Sequence, residues 1–285
     1  MAKNLIGVDL GGTKFEAGRI HVSDSGTRTV QLEEKKRVAV NAELSADQLI
    51  ECLFECIQYS WSENVLGIGI GVPGLVNPDS GEILDIQNLP AWKRIGLQQL
   101  VEKEFGVAVH LNNDVNCFAL GSYYHGAGKP YQNVVAVSLG TGLGCGVIID
   151  GKLYNGLLSG AGEIGMIPYK GKIVESYSGS FFFQGEYGSS AKGMHQLAKE
   201  GNRTALEAFE AYGKHLAEAV RMILFAYAPE AIVFGGSISS AFGFFEASMH
   251  HHLSDFPYPL QLAQTHFIKE EMTDLPLIGS AMLAI

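Results

Sequence analysis

Three glycine-rich turns, each at the end of an apolar run, define the chemistry open to this chain. The first, Asp9-Leu-Gly-Gly-Thr-Lys14, places a carboxylate near the end of the run Leu5 to Leu10. Gly11 and Gly12 then let the backbone approach a ligand closely, and the Thr13 hydroxyl and Lys14 ammonium complete the loop. Each element suits a polyphosphate with Mg²⁺: amides and Lys14 for phosphate oxygens, Asp9 for the metal through water. A tight hairpin turn needing φ > 0 accounts equally well for this loop taken alone. The second turn, Leu139-Gly-Thr-Gly-Leu-Gly144, repeats the arrangement with Gly140, Thr141 and Gly142. Two such turns in equivalent places act as opposing clamps on one phosphate tail. The third, Phe234-Gly-Gly-Ser-Ile238, offers the backbone of Gly235 and Gly236 to a flat base or ribose. Its plain alternative is a strand-to-helix turn capped by Ser237 or Ser239.

A fourth segment has a different character. Asn112-Asn113-Asp114 follows a strand pattern and precedes a helical one, the position at which open α/β sheets place ligands. A carboxylate there can take the proton of an attacking hydroxyl, whereas a helix cap by Asn113 or Asp114 is the simpler role. His250, His251 and His252 are consecutive, so on a helix they point about 100° apart and do not converge on one ion. Cys52, Cys56, Cys117 and Cys145 form no CxxC pair and read as reduced, packed thiols.

Elements that alternate between strand and helix must position these groups. Leu5 to Leu10 and Phe15 to Ile20 predict a hairpin, with a third strand near Arg37 to Val40. Ser45 followed by Gln48 is a capping-box pattern that opens a helix through Leu49, Leu53, Cys56 and Ile57. Strands at Val65 to Ile70 and Val107 to Leu111 flank a helix from Gly96 to Phe105 and imply a largely parallel sheet. The pattern then restarts: Val134 to Leu139 runs into a glycine-threonine turn and a second strand, as at the beginning. That repetition predicts a duplicated unit and two similar lobes. A long helix over Thr204 to Ala226, a strand at Ala231 to Phe234, and a terminal helix-compatible run from Leu277 that packs back on the first lobe complete the expectation.

The composition narrows the class. With 47% hydrophobic and 18% charged residues in 285, the chain has enough apolar material for two cores and no disordered tract. A net charge of -10 without a basic run argues against nucleic acid as a partner. No apolar run reaches the ~18–20 residues that span a bilayer, so the expected setting is the cytoplasm and no membrane.

Taken together, DLGGTK at 9–14, GVPGLV at 71–76, NNDVN at 112–116, GAG at 126–128, LGTGLG at 139–144, AGEIG at 161–165 and FGGSI at 234–238 resemble the ROK family of sugar kinases and repressors across almost the whole chain. The resemblance implies two ribonuclease-H-like α/β domains of the actin/hexokinase superfamily with a cleft between them. The domains are expected at 1–113 plus 272–285 and at 114–271. It also implies ATP and Mg²⁺ as cofactors, a small-molecule sugar as partner, and a homodimer. Carried over by position, Asp114 matches the catalytic base; Asn113, Glu163 and Glu175 match sugar-binding residues. The expected reaction is phosphorylation of a hexose at its primary hydroxyl, glucose first, with N-acetylmannosamine or fructose as alternatives. The repressors of this family carry a helix-turn-helix domain ahead of the kinase-like part, and the phosphate loop at Asp9 leaves no room for one. A sensor without catalysis fits less well, because both Asp9 and Asp114 are present.

One departure stands out. The family commonly follows GEIG with a histidine and a cysteine-rich loop that bind a structural zinc. Here Met166 takes the histidine position and Ile167 to Val174 contains no cysteine, so zinc is not expected. Ile173, Val174, Tyr177 and Phe181 to Phe183 are the residues expected to order the loop instead.

Overall fold

In the computed structural model, which describes residues 3–23, 29–78, 80–86, 89–92 and 94–285, Lys3–Leu10 forms β1 with Leu5, Ile6, Val8 and Leu10 buried. A strand apolar on both faces must lie inside a sheet covered on both sides, and β1 does. The elements that follow are β2 (Lys14–Ser23), β3 (Thr29–Ala39), α1 (Ala46–Tyr59) and β4 (Val65–Val72). A small antiparallel sheet of β5 (Leu75–Asn77), β6 (Glu82–Asp85) and β7 (Ile95–Gly96) precedes α2 (Leu97–Phe105), β8 (Ala108–Asn113) and α3 (Asp114–Tyr124). The main sheet has the order β3-β2-β1-β4-β8, in which β1 pairs antiparallel with β2 and parallel with β4, and β4 parallel with β8. Its core is built on Phe15, Leu53, Ile68, Val101 and Trp92, whose ring stacks on Phe15 at 5.4 Å.

The chain then runs through β9 (Val134–Leu139), β10 (Leu143–Ile149) and β11 (Lys152–Leu153), and through a hairpin of β12 (Pro168–Tyr169) and β13 (Lys172–Ile173). Helices α4 (Glu175–Ser178), α5 (Ser180–Tyr187), α6 (Ala191–Lys199) and α7 (Arg203–Tyr227) follow, then β14 (Ala231–Gly235), α8 (Phe242–Leu253), α9 (Pro259–Gln264), β15 (His266–Lys269) and α10 (Leu275–Ala281). The order β10-β9-β14-β15, with β9 antiparallel to β10 and parallel to β14, repeats the order β2-β1-β4-β8. This is the duplicated α/β unit that the recurring strand, glycine-threonine turn and strand predicted, and its strand order fits the ribonuclease-H-like domains that the resemblance implied. The second core packs Phe183, Phe209, Tyr212 and Phe245 against β9 and β14.

Contacts group the chain into two units: the described residues up to Pro130 with Lys152–Ala161 and Met272–Ile285, and Tyr131–Gly151 with Gly162–Glu271. The grouping differs from the division expected at 113/114, because α3 belongs with the first unit. Gly121 lies against the Leu275 carbonyl and Gly279 against the Cys117 carbonyl so closely that a Cβ on either would collide, so α3 and α10 pack backbone to backbone. No described helix is long and apolar enough to cross a membrane.

The capping box at Ser45 forms in full: the Gln48 amide donates to Ser45 Oγ at 3.2 Å and the Ser45 amide to Gln48 Oε1 at 2.9 Å. It starts α1 in the phase that buries Leu49, Leu53, Cys56 and Ile57. Ser45→Ala is expected to cost about 1 kcal/mol, read as a lower urea midpoint with an unchanged slope.

Candidate functional site

Parallel register decides which residues of the first unit meet. Pairing of Asp9 with Gly71, and of Gly71 with Asn112, aligns the carboxyl ends of β1, β4 and β8. Asp9, the GVPG turn and Asn112 to Asp114 therefore share one edge of one sheet. Gly71 seats β4 against α3, since a Cβ there would touch Cys117 Sγ and the Asp114 backbone. The Cys117 thiol is raised far above its usual range by burial, and then by the charges of Asp114 and Asp9, which places both carboxylates around it.

At the start of α3 the two candidate roles divide between two residues. Asn113 is the N-cap: its Oδ1 accepts from the amides of Val115 at 2.8 Å and Asn116 at 3.3 Å, while its Nδ2 donates to the Gly74 carbonyl. Asp114 is the first helical residue, and its Oδ1 accepts from the Val115 amide at 2.9 Å. Buried Asn112 ties this corner together: its Oδ1 accepts from the Asn113 amide and Asn116 Nδ2, and its Nδ2 donates to Asn155 Oδ1 at 2.9 Å. Asn155 leaves no spacing signal in the sequence, because a lone amide that braces a turn recurs with no period.

The first glycine turn closes with the Gly11 amide donating to the Lys14 carbonyl and the Val40 amide to the Thr13 carbonyl. Neither Gly11 nor Gly12 has positive φ, so the tight-turn reading that required it does not describe this loop. Lys14 Nζ binds Glu16 at 2.8 Å, and Glu16 also takes Lys35 at 3.2 Å and Arg37 at 3.1 Å. Burial alone would push the Glu16 carboxyl up, but the three cations carry it down to about 2. Glu16 was not foreseen, although Lys14 and Glu16, two apart on β2, necessarily share a face. Asp9 next to it behaves oppositely: burial raises it, and the Lys14 and Arg37 charges offset this only in part.

In the second unit the ends of β9 and β14 lie side by side, with Gly235 paired to Ser138, which brings the LGTG and FGGS turns together. Gly236 has φ of 83° and sits against the Leu139 backbone, so only glycine fits. The serine caps of the plain alternative are not made; Ser239 and Ser240 hydroxyls donate back to the carbonyls of Gly236 and Ser237 at 2.8 Å. The Gly140 to Gly142 loop is pinned by the Ser180 amide, which donates to the carbonyls of Gly140 and Thr141. A Cβ on Gly142 would strike the Glu175 carboxylate, so Glu175 lies directly against this loop. Glu163 is raised by desolvation and then by the charge of Glu175, a like-charged pair. Tyr212, buried in α7, donates to the Ser178 carbonyl at 2.7 Å and so anchors the short helix that begins with Glu175.

Around the loop where the zinc-type pattern is missing, aromatic rings converge on His215. Tyr169 Oη meets His215 Nδ1 at 3.1 Å, Tyr177 lies on the imidazole at 4.9 Å, and Phe182 approaches its edge at 5.5 Å. Burial, then Lys170 and Lys214, lower His215 to about 4. Val174, Phe182 and Phe183 are buried as expected, but Phe181 is exposed, because its neighbours already occupy the core face of α5. Met166 is exposed as well.

The sequence profile of the ROK family matches residues 5–189 and 175–285. The chain belongs to the ROK family. ROK relatives include the glucokinase of Thermotoga maritima, 28% identical over 98% of this chain and 96% of that protein. The N-acetyl-D-glucosamine kinase of Vibrio cholerae is 31% identical over 82% of this chain and 84% of that protein. A ROK glucokinase of Streptomyces griseus, solved with glucose and AMPPNP, has the same fold: TM-score 0.80, 23% identity, 98% of both chains covered.

Glu16 supplies a test of the charge cluster. Its folded value lies below that of an unfolded glutamate, so its stabilisation is present above about 4.5 and is lost as pH falls toward about 2. Glu16→Gln is expected to lower stability at neutral pH and to flatten the pH dependence of melting in that acid window.

Proposed function

We propose that this ROK chain transfers the γ-phosphoryl group of ATP to the primary hydroxyl of a hexose, with glucose as the first substrate to try. The observation that carries the reading is the division of labour at the start of α3: Asn113 caps the helix, so Asp114 is not needed as the cap. Asp114 takes the proton of the sugar hydroxyl as its oxygen attacks the γ-phosphorus and ADP leaves. Asn113, Glu163 and Glu175 hold ring hydroxyls: the two carboxylates accept from hydroxyl pairs, the Asn113 amide group donates an N–H, and phosphate is left to the amide-lined turns. Gly11 to Lys14 and Gly140 to Gly142 take phosphates.

Gly235, Gly236 and the adjoining cavity of about 650 Å³, walled by α6, Phe209 and the turn from Ser237 to Ala241, take the nucleoside. Asp9 fits Mg²⁺ held through water: its carboxyl is desolvated and only partly offset by Lys14 and Arg37, so a further cation beside it is favourable. When bound, that ion neutralises phosphate charge.

The N-acetyl-D-glucosamine kinase relative, 31% identical to this chain, favours one second reading, an N-acetylated hexosamine as acceptor. ADP release measured over a panel of glucose, fructose, mannose, N-acetylglucosamine and N-acetylmannosamine separates the two. Release that no sugar stimulates would count against a kinase of either kind.

Two substitutions test the roles. Asp114→Asn is expected to lower kcat by roughly 10²–10⁴ while ATP binding and melting temperature hold, because Asn113 retains the cap. Near wild-type turnover would remove Asp114 from the chemistry. A Cβ on Gly140 meets no protein atom, so Gly140→Val is expected to fold normally yet to weaken ATP at least about tenfold by filling phosphate space. Sugar affinity, followed by calorimetry, should stay the same; equal weakening of both ligands would mean the loop is only a turn.

A further inference from the structure

The cavity beside the FGGS turn is lined by His195 and Ser240, a pair to which neither the glycine motifs nor the transfer chemistry assigns a role. Ser240 Oγ lies 2.8 Å from the Ser237 carbonyl and 3.3 Å from His195 Nδ1. A hydroxyl has one proton to give, and a carbonyl can only accept. The proton therefore goes to Ser237, at the shorter distance, and toward the imidazole the Ser240 oxygen is an acceptor. His195 Nδ1 must then carry the ring hydrogen, which leaves a lone pair on Nε2.

Among the described residues no protein donor is recorded on Nε2. The ring is held edge-on by Phe209 at 6.2 Å and Phe244 at 5.6 Å. Burial, Lys199 and Lys269 all disfavour a second proton on it. His195 is thus a fixed hydrogen-bond acceptor on the wall of a cavity that also presents the apolar surfaces of Phe209 and Ile238.

We propose that His195 is the residue that selects the donor base, its Nε2 accepting from the exocyclic amine of adenine. A 6-oxo purine presents a carbonyl oxygen at that place, lone pair against lone pair, and is disfavoured. This rests on reading the cavity as the nucleoside pocket of the proposed kinase.

The test is calorimetric titration of ADP and of IDP, its 6-oxo counterpart, into the wild-type protein, His195→Phe and Ser240→Ala. Wild type should bind ADP about tenfold more tightly than IDP, in line with one well-placed hydrogen bond. His195→Phe should bring the two within about twofold, chiefly by losing ADP affinity. Ser240→Ala, which frees the imidazole to take either tautomer, should fall between; it decides the matter should the phenylalanine variant not fold. No preference in wild type, or an equal preference in both variants, overturns the proposal. A preference that the variants lose, in a protein that phosphorylates no sugar, would sustain the assignment of His195 and sink the kinase reading; a wild type that binds no ADP would sink both.

Discussion

Parallel strands bond to one another only when they run the same way, and this constraint brings their carboxyl ends to a common edge. In the first unit the edge collects Asp9, Gly71 and Asn113 from three strands that are far apart in sequence. In the second it collects Ser138 and Gly235, and with them the two glycine turns. A slip of one residue between β1 and β4 would send Asp9 to the opposite face of the sheet. The buried residues Ile6, Val8, Ile68 and Ile70 prevent that slip, so the apolar core is what fixes the position of the polar site.

Carboxylates of one chemical type are given different characters by their surroundings. Glu16 has three cations and stays ionised far into acid, which makes it a structural anchor for the base of the first loop. Asp9 is desolvated with incomplete compensation from Lys14 and Arg37. Glu163 is held up by partial desolvation and by Glu175, an arrangement that hydroxyl donors relieve and that a phosphate would aggravate. The glycine turns and the carboxylates are in this way given different electrostatic characters, which is the division that the proposed phosphate and sugar roles draw on.

Much of this was legible in the residues. Period-two and continuous apolar runs located the main strands, and the Ser45 and Gln48 spacing located the start of α1. The repeated glycine-threonine turn foretold the second sheet. What stayed hidden depended on tertiary contact. The strand at 266–269 is short and only half-buried, too weak a pattern to stand out, and it exists because β14 offers it an edge. The assignment of α3 to the first unit needed the backbone contact between Gly121 and Leu275. Tyr212 and His215 sit inside a regular helical pattern that says only that one face is buried, not that a hydroxyl there holds Ser178 or that an imidazole holds Tyr169.

The segment from Ile164 to Ser178 is ordered by many contacts of modest strength. A metal would fix such a loop through a few directional bonds; here the work is spread over a hairpin turn, a buried valine and rings packed edge-on or tilted about His215. Dispersed apolar contacts are weaker one by one but do not depend on metal supply or thiol reduction. They also transmit position: Tyr212 holds the end of α4, Val174 its beginning, and Glu175 is left no freedom to drift from the Gly142 turn. The acidic residue proposed to hold the sugar is therefore placed by the core of its own unit, and loosening of the aromatic cluster would be felt first at that carboxylate.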